Sequence, residues 1–260
     1  MGKNPVAAFI FFTRLPLGRI VEVPASCYKR IVPYWPLTGW LTAAVTAGVL
    51  YGASLLFPVP VAVMLALCGR LWLTGALHED GLSDFLDGFG GGGTPERTLA
   101  IMKDSHVGNY GTIGLVVYFL LLASVLSSLP VPVACAAIAA GDPLAKFVSA
   151  QTIDCLPYVR TAEQSKARTV YEPMRPGERI CAFVCGLLPS LLLLRPVFWL
   201  AGLGPFLVWT CLCAWLKKRI GGYTGDCCGA MFLLTELSFY LSLLALCGIY
   251  GIDLRAAYFG

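Results

Sequence analysis

The sequence predicts an all-α, polytopic membrane protein with about seven transmembrane helices. Of its 260 residues, 57% are hydrophobic and only 13% are charged, a balance that does not suit a water-soluble globule. Apolar runs of about 20 residues, the length that crosses the hydrocarbon of a bilayer, recur along the chain. Short proline turns at 58–60 and 130–132 separate some of them. We therefore treat residues 1–260 as one polytopic domain in the lipid bilayer.

The N-terminal segment, residues 1–33, is predicted to lie at the membrane interface. Its apolar patch, residues 6–12, is too short to span, and basic residues surround it. No small-residue cleavage site follows it, so a signal peptide is not predicted. An amphipathic segment at the headgroups fits these features better.

Seven apolar segments follow in order, and each predicts a helix long enough to cross or nearly cross the membrane. They cover about 35–57, 61–77, 112–129, 133–153, 180–194 and 197–216, and a last one ends near residue 251.

Composition also excludes several classes of site. Most of the eleven cysteines lie in or beside apolar segments, where they are typical of small buried hydrophobes. With only two histidines, a zinc site is not predicted. The net charge of +4 comes mostly from loops, so we attribute it to membrane topology and expect no nucleic-acid partner.

Four ionisable residues fall inside apolar segments, where an unpaired charge is costly. Arg70 is expected to pair with a nearby carboxylate, contact a phosphate or extend to the headgroups. Asp142 and Lys146 lie four apart on one helix and either neutralise each other or contact substrate. Glu236, about ten residues inside the last span, is a functional candidate by its depth.

An acidic stretch at residues 78–93 holds four carboxylates and ends in four glycines. If it is helical, Asp80, Asp84 and Asp87 share one face at i, i+4 and i+7. Carboxylates repel one another unless a cation neutralises them, and these oxygen ligands suit Mg²⁺. The glycines of 90–93 either let backbone amides approach a phosphate or form a hinge. A helix cap or a solvated charge is the structural alternative for any single aspartate.

The polar excursion continues to residue 111 and contains six of the fifteen acidic residues. Thr94 and Pro95 predict a helix start, with the threonine as N-cap. Asp104, Ser105 and His106 offer a candidate proton acceptor or a hydrogen-bond donor to a phosphate. We expect residues 78–111 to form a catalytic loop with helices.

The distribution of basic residues predicts the topology. With a cytoplasmic N-terminus, fifteen lysines and arginines fall in inside segments, and only Arg195 and Arg255 fall outside. This asymmetry is a strong positive-inside signal. It places the acidic stretch, the basic 154–180 loop and the glycine-rich 221–226 loop on one cytoplasmic face, where Asp226 adds a fourth candidate metal ligand. Together they predict metal-assisted phosphate chemistry.

Several blocks then allow a comparison with known families. They are Thr13-Arg14-Leu15-Pro16; residues 74–84 with Asp87-Gly88; residues 101–105 with Gly108 and Tyr110-Gly111; and residues 221–226 with Gly229-Ala230 and Glu236. In this order and spacing, the chain resembles the cobalamin synthase family, the adenosylcobinamide-GDP ribazoletransferases. One departure is Lys146, where the family would carry an arginine; lysine lacks bidentate phosphate geometry.

The resemblance implies a magnesium-dependent enzyme of a bacterial or archaeal inner membrane that acts late in coenzyme B12 assembly. A ribose hydroxyl of alpha-ribazole, or of its 5'-phosphate, would attack adenosylcobinamide-GDP and expel GMP. The candidate catalytic residues are Asp84, Asp87, Asp104 and His106, and the candidate Mg²⁺ ligands are Asp80, Asp84, Asp87 and Asp226. The candidate substrate-binding residues are Glu79, Gly88, Gly91, Arg97, Lys103, Ser105, Lys146, Gly222, Thr224, Gly225 and Glu236.

Two other functions stay open at this point, and so does a homo-oligomeric state. Asp84 and Asp87-Gly88 also resemble half of the motif of CDP-alcohol phosphotransferases, which run analogous chemistry at a membrane face. Ionisable residues within spans also suit a cation-coupled transporter. Against the transporter, the sequence has no evident internal repeat and its acids cluster at one face.

Overall fold

The computed structural model describes residues 2–160 and 170–249, which fold as a bundle of helices. Four short 3₁₀ turns occupy Pro16–Arg19, Ala25–Arg30, Val32–Tyr34 and Pro196–Gly202. The helices are α1 (Asn4–Phe12), α2 (Trp35–Ser54), α3 (Val59–Thr74), α4 (Leu77–Gly91), α5 (Pro95–Lys103), α6 (Asn109–Ser127), α7 (Val131–Ala150), α8 (Thr152–Cys155), α9 (Pro176–Leu193), α10 (Leu203–Ile220) and α11 (Gly225–Ile249).

The membrane character that the sequence predicts is confirmed. Within the described ranges, five helical stretches are long and apolar enough to cross a bilayer: residues 109–127, 131–155, 176–193, 196–220 and 225–249. A sixth is reached if α3 and α4 count as one bent span. The predicted count of about seven is therefore not confirmed.

The N-cap prediction for α5 is confirmed. Thr94 accepts a hydrogen bond from the backbone amide of Arg97 at 3.3 Å, and Pro95 occupies the first turn. Since the proline has no amide proton to leave unpaired there, it starts the helix at little cost.

α11 is the central element, because it packs against α4, α7 and α10. α2 lies against α3 and α7, and α4 also contacts α5 and α6. The acidic stretch is helical, as predicted, yet it is buried in the bundle rather than exposed as a polar excursion. The buried members of α4 include Glu79, Asp84 and Asp87.

Candidate active site

A break between α3 and α4 directs the acidic helix into the bundle. Gly75 and Ala76 both have left-handed backbone conformations, with φ of 66° and 56°, and the two helices meet at 92°. Glycine takes this conformation freely, whereas alanine is strained in it. A Cβ on Gly75 would also collide with the Arg14 side chain. The break therefore stores strain next to the first acids of α4.

Two glycines let α4 and α11 approach closely. A Cβ on Gly81 would lie 3.1 Å from the backbone oxygen of Asp226, and one on Gly229 would lie 3.2 Å from that of His78. A side chain at either position would separate the helices. The glycines thus bring the start of the acidic helix next to Asp226.

The 154–160 and 221–226 segments also converge, as the topology predicts. The amide of Val159 donates to Tyr223 at 3.0 Å, and the amide of Tyr223 donates to Pro157 at 2.9 Å. Beside this short bridge, Arg160 is buried and its guanidinium contacts Asp226 at 3.1 Å. Position 222 requires a glycine, because a Cβ there would overlap the Pro157 carbonyl oxygen.

Two cavities flank the first turn of α4. We call the first, of about 240 Å³, the aromatic cavity. The second, of about 630 Å³, we call the Arg14 groove. Asp80 lies in the wall of both. The aromatic cavity is also lined by Phe12, Trp35, His78, Tyr158, Arg160, Tyr171, Gly225 and Asp226. The groove is also lined by Thr13, Arg14, Thr74, Gly75, Glu79, Ser83 and Val107.

The three aspartates of α4 differ in their surroundings. Asp80 is exposed, whereas Asp84 and Asp87 are buried. Asp87 accepts backbone hydrogen bonds from Gly108 at 2.7 Å and Gly111 at 2.8 Å, at the start of α6. Its carboxylate thus caps that helix N-terminus, where a negative charge is favoured.

Metal-ligand geometry is sparse in the part of the chain that the structure describes. No three histidine, cysteine, aspartate or glutamate side chains there are close enough to hold an ion together. Asp80 and Asp226 nevertheless share one cavity, and Glu79 has a buried carboxylate oxygen, Oε2, without a hydrogen bond. The pair of Asp80 and Asp226 suits Mg²⁺, which usually binds one or two carboxylates together with phosphate oxygens of a substrate.

Three of the glycines that follow Asp87 lie in close packing. A Cβ on Gly88 would collide with Met102, one on Gly90 with the Tyr110 ring, and one on Gly92 with Thr98. Neither Gly88 nor any residue of 90–93 is among the lining residues of the two cavities. Gly91, a predicted substrate contact, ends α4 instead.

Asp104 and His106 lie in the exposed loop between α5 and α6. The imidazole Nδ1 of His106 is 2.6 Å from a carboxylate oxygen of Asp104. This hydrogen bond raises the pKa of His106 above its ordinary value and lowers the pKa of Asp104. The pair lies beside the Arg14 groove, because Val107 is part of the groove wall.

Two tyrosines near the aromatic cavity are poor proton acceptors. Burial raises the pKa of the Tyr171 and Tyr223 hydroxyls, so both stay protonated at neutral pH. Carboxylates are therefore the better candidates for receiving a proton in this cavity.

Arg70 and Glu236 form a buried ion pair. The guanidinium contacts both carboxylate oxygens, at 2.7 and 2.9 Å, and the Tyr240 hydroxyl donates to the same carboxylate at 2.9 Å. Arg70 also lies 3.8 Å from Glu79. The partner predicted for Arg70 among carboxylates is thus present, on α11 as well as on α4.

The predicted pair of Asp142 and Lys146 is confirmed as a buried contact of 2.6 Å. Lys146 also donates to the Thr42 hydroxyl at 2.6 Å. Lys146 is 1% exposed and is not part of either cavity wall. A structural role, the ion pair with Asp142 and the hydrogen bond to Thr42, therefore accounts for the contacts of Lys146.

The remaining predicted substrate contacts fall into two groups. Arg97, Lys103 and Ser105 are exposed on α5 and the loop that follows it. Thr224 is fully buried, and its hydroxyl caps α11 by accepting from the Cys227 amide at 3.3 Å.

Sequence reasoning missed the aromatic wall. The sequence placed Phe12 in the interfacial segment, Trp35 in the first span and His78 in a family motif. It gave none of the three a role in the site. Arg160 belongs to the basic 154–180 loop, which the charge asymmetry placed on the same face as the acidic stretch without singling out this arginine. The Arg14 side chain was quoted only within a motif, and that motif was the one signal that pointed to the N-terminal segment.

Comparisons with known proteins cover nearly the whole chain. A family model described as cobalamin-5-phosphate synthase matches residues 4–244. A protein of Shewanella frigidimarina is 35% identical over 250 residues, which is 92% of each chain. A protein of Shewanella amazonensis is 36% identical over 92% of this chain and 94% of its own. One of Vibrio parahaemolyticus is 36% identical over 92% and 90%. All three are named adenosylcobinamide-GDP ribazoletransferase. No solved structure matches.

Proposed function

The chain belongs to the cobalamin-5-phosphate synthase family, and on this premise we propose that it joins ribazole to adenosylcobinamide-GDP by Mg²⁺-assisted attack of a ribose hydroxyl. The enzyme is a transferase of cobalamin biosynthesis in a membrane. The observation that carries the proposed chemistry is the meeting of Asp80, Asp226 and Arg160 in one cavity, where α4 crosses α11.

The reaction exchanges the phosphoanhydride bond of the diphosphate for a phosphodiester bond. The hydroxyl oxygen of ribazole, or of its 5'-phosphate, forms a bond to the cobinamide-linked phosphorus. The bond from that phosphorus to the bridging oxygen breaks, and GMP leaves with the electron pair. The hydroxyl proton passes to a carboxylate. Such a reaction needs positioning and charge neutralisation more than covalent help from the protein.

The residues of the cavity suit these tasks. Arg160 supplies a fixed positive charge that can face phosphate oxygens, and its contact with Asp226 holds it in place. Asp80 and Asp226 can hold Mg²⁺ together with the diphosphate, and Asp84 lies one turn further along α4. The bound Mg²⁺ would neutralise the diphosphate and stabilise the leaving GMP. Glu79 or Asp80 is placed to accept the proton, since both line the adjoining groove.

We further propose that the site faces the cytoplasm. The fifteen-to-two division of basic residues supports this orientation. The substrates are nucleotide derivatives, which fits a cytoplasmic opening.

The test is GMP release by the purified protein. Adenosylcobinamide-GDP is supplied with ribazole or its 5'-phosphate, with and without Mg²⁺. We expect GMP only when both substrates and the metal are present. Asp226→Asn and Asp80→Asn should abolish release while the protein remains folded and inserted.

The matched control is Glu96→Gln, which removes an exposed carboxylate from α5 that lines neither cavity. It should release GMP at the rate of the unmodified protein. Near-normal release from Asp226→Asn and Asp80→Asn, or full activity in a chelator, would refute the proposed metal site.

A further inference from the structure

We propose that the aromatic cavity binds the base of ribazole, and that the indole N–H of Trp35 donates a hydrogen bond to the open ring nitrogen of that base. This inference rests on the proposed function and assigns one of its two substrates to one of the two cavities.

The first step concerns the shape and lining of the cavity. Phe12 and Trp35 stack with ring centroids 5.2 Å apart and planes 11° from parallel. The His78 ring lies 5.4 Å from that of Trp35, and Tyr158 and Tyr171 add further rings to the wall. A volume of about 240 Å³ is below the roughly 300–1,000 Å³ of sites for drug-sized ligands. Such a space suits a flat aromatic group rather than a whole corrinoid.

The second step concerns two ring nitrogens without partners. Trp35 is 2% exposed and His78 is 3% exposed, and Trp35 Nε1 and His78 Nε2 both have no hydrogen-bond partner. An indole nitrogen can only donate. Buried polar groups are nearly always paired, so an occupant of the cavity whose acceptor reaches the Trp35 nitrogen would satisfy this donor.

The third step separates the two candidate bases. Ribazole carries a fused benzimidazole, whose sugar occupies one ring nitrogen and leaves the other as a single acceptor. Guanine carries several donors and acceptors on its edges. The aromatic wall of Phe12, Trp35 and His78 would leave most of these unpaired, and each unpaired group costs free energy.

The fourth step orients the substrate. The same cavity holds Asp80, Arg160 and Asp226. With the base against Trp35, the ribose and its 5'-phosphate are left for these polar residues. The attacking hydroxyl then lies on the carboxylate side. Adenosylcobinamide-GDP is left to approach through the wider Arg14 groove, which shares Asp80.

The experiment measures binding by calorimetry on the purified full-length protein. The probes are alpha-ribazole, the matching riboside whose base is an indole and therefore lacks the acceptor nitrogen, and GMP. The variants are Trp35→Phe, which keeps a ring and removes the N–H, and the control Trp40→Phe. Trp40 is exposed, already donates to the Cys185 carbonyl at 2.7 Å and lines neither cavity.

The unmodified protein should bind the benzimidazole riboside about tenfold more tightly than the indole riboside, the effect of one buried hydrogen bond. Trp35→Phe should bind the two alike, and Trp40→Phe should keep the preference. GMP affinity should not change in Trp35→Phe. A preference that persists in Trp35→Phe would overturn the proposal, since water or another group would then satisfy the indole. Loss of GMP binding in Trp35→Phe, with ribazole binding unchanged, would also overturn the proposal, because the cavity would then bind guanine.

A second variant covers the case in which Trp35→Phe does not fold. Cys228→Leu narrows the same cavity from α11 and should weaken ribazole binding but not GMP binding; unchanged ribazole affinity would overturn the assignment. Failure of the proposed function is seen separately, as absence of GMP release by the unmodified protein. If the unmodified protein releases GMP but Trp35→Phe still prefers the benzimidazole riboside, only the cavity assignment is refuted.

Discussion

Glu236→Gln tests whether the buried pair with Arg70 is structural or catalytic. At 2.7 Å, and with an effective dielectric constant of about 20, the two charges attract by about 6 kcal/mol. Removing both from water costs several kcal/mol per ion, so the intact pair contributes little net stability. Glutamine removes the attraction and leaves the charge of Arg70 buried. We therefore expect the free energy of unfolding to fall by about 3–5 kcal/mol.

Replacing both partners should restore most of that loss. Arg70→Met with Glu236→Leu leaves no buried charge from this pair and keeps a similar volume. Neither residue lines a cavity, so GMP release per folded molecule should stay close to that of the unmodified protein in both the single and the double variant. The assay combines unfolding by denaturing detergent with turnover normalised to the folded fraction.

Two results would refute this reasoning. A cost below about 1 kcal/mol for Glu236→Gln, the range of exposed pairs, would mean that Arg70 does not depend on this partner. A double variant that is stable but inactive would instead make the pair part of the catalytic machinery. Glu96→Gln, at an exposed position, is the matched control and should leave both readouts unchanged.

Three further predictions concern the surroundings of the site. In an NMR titration, the pKa of His106 should lie above its ordinary value of 6.5, and Asp104→Asn should lower it. The ion pair needs a protonated imidazole and an ionised carboxylate, so its small stabilisation is fully present between about pH 3.8 and 6.5. It is lost as the pH rises through the elevated pKa of His106 or falls through the lowered pKa of Asp104. Asp87→Ala should lower the unfolding free energy by about 1–2 kcal/mol, because α6 loses its cap. Gly81→Ala should reduce GMP release, because its Cβ would meet backbone atoms of Asp226 at 3.1 Å.

Each of these has an outcome that contradicts it. An unchanged His106 titration in Asp104→Asn would show that the two side chains do not pair in solution. Full stability of Asp87→Ala would show that Asp87 does not act as a cap of α6. Asp87→Asn keeps an acceptor oxygen, so its unfolding free energy should fall by less than that of Asp87→Ala. Gly52→Ala is the control for Gly81→Ala, since open space surrounds that glycine; equal effects of the two would contradict the close-packing argument.

Local patterns predicted much of the fold and part of the site. If helical, the acidic stretch would place Asp80, Asp84 and Asp87 on one face, and α4 is a helix over Leu77–Gly91. The pair of Asp142 and Lys146 followed from one helical turn. The convergence of the 154–160 and 221–226 segments followed from charge asymmetry, because both had to lie on one side of the membrane.

Contacts between distant segments could not be predicted in this way. Arg70 and Glu236 are 166 positions apart, and nothing in either helix identifies the other as its partner. The cap that Asp87 places on α6 likewise depends on how α4 meets a later helix. The charge of α4 likewise suggested that this helix is exposed. It is buried instead, because other helices supply partners for its side chains.

The left-handed turn at Gly75 and Ala76 also ties the N-terminal segment to the bundle. A helix that stops and restarts at 92° leaves amide and carbonyl groups outside the regular ladder, and hydrocarbon offers such groups no partner. Irregular backbone persists at such a place only against protein or a hydrated opening. Protein supplies the partners here: the amides of Gly75 and Ala76 donate to the Leu71 carbonyl, and the Arg14 amide donates to the Leu73 carbonyl at 2.7 Å. The N-terminal segment is thus bonded to the turn that directs α4 into the bundle.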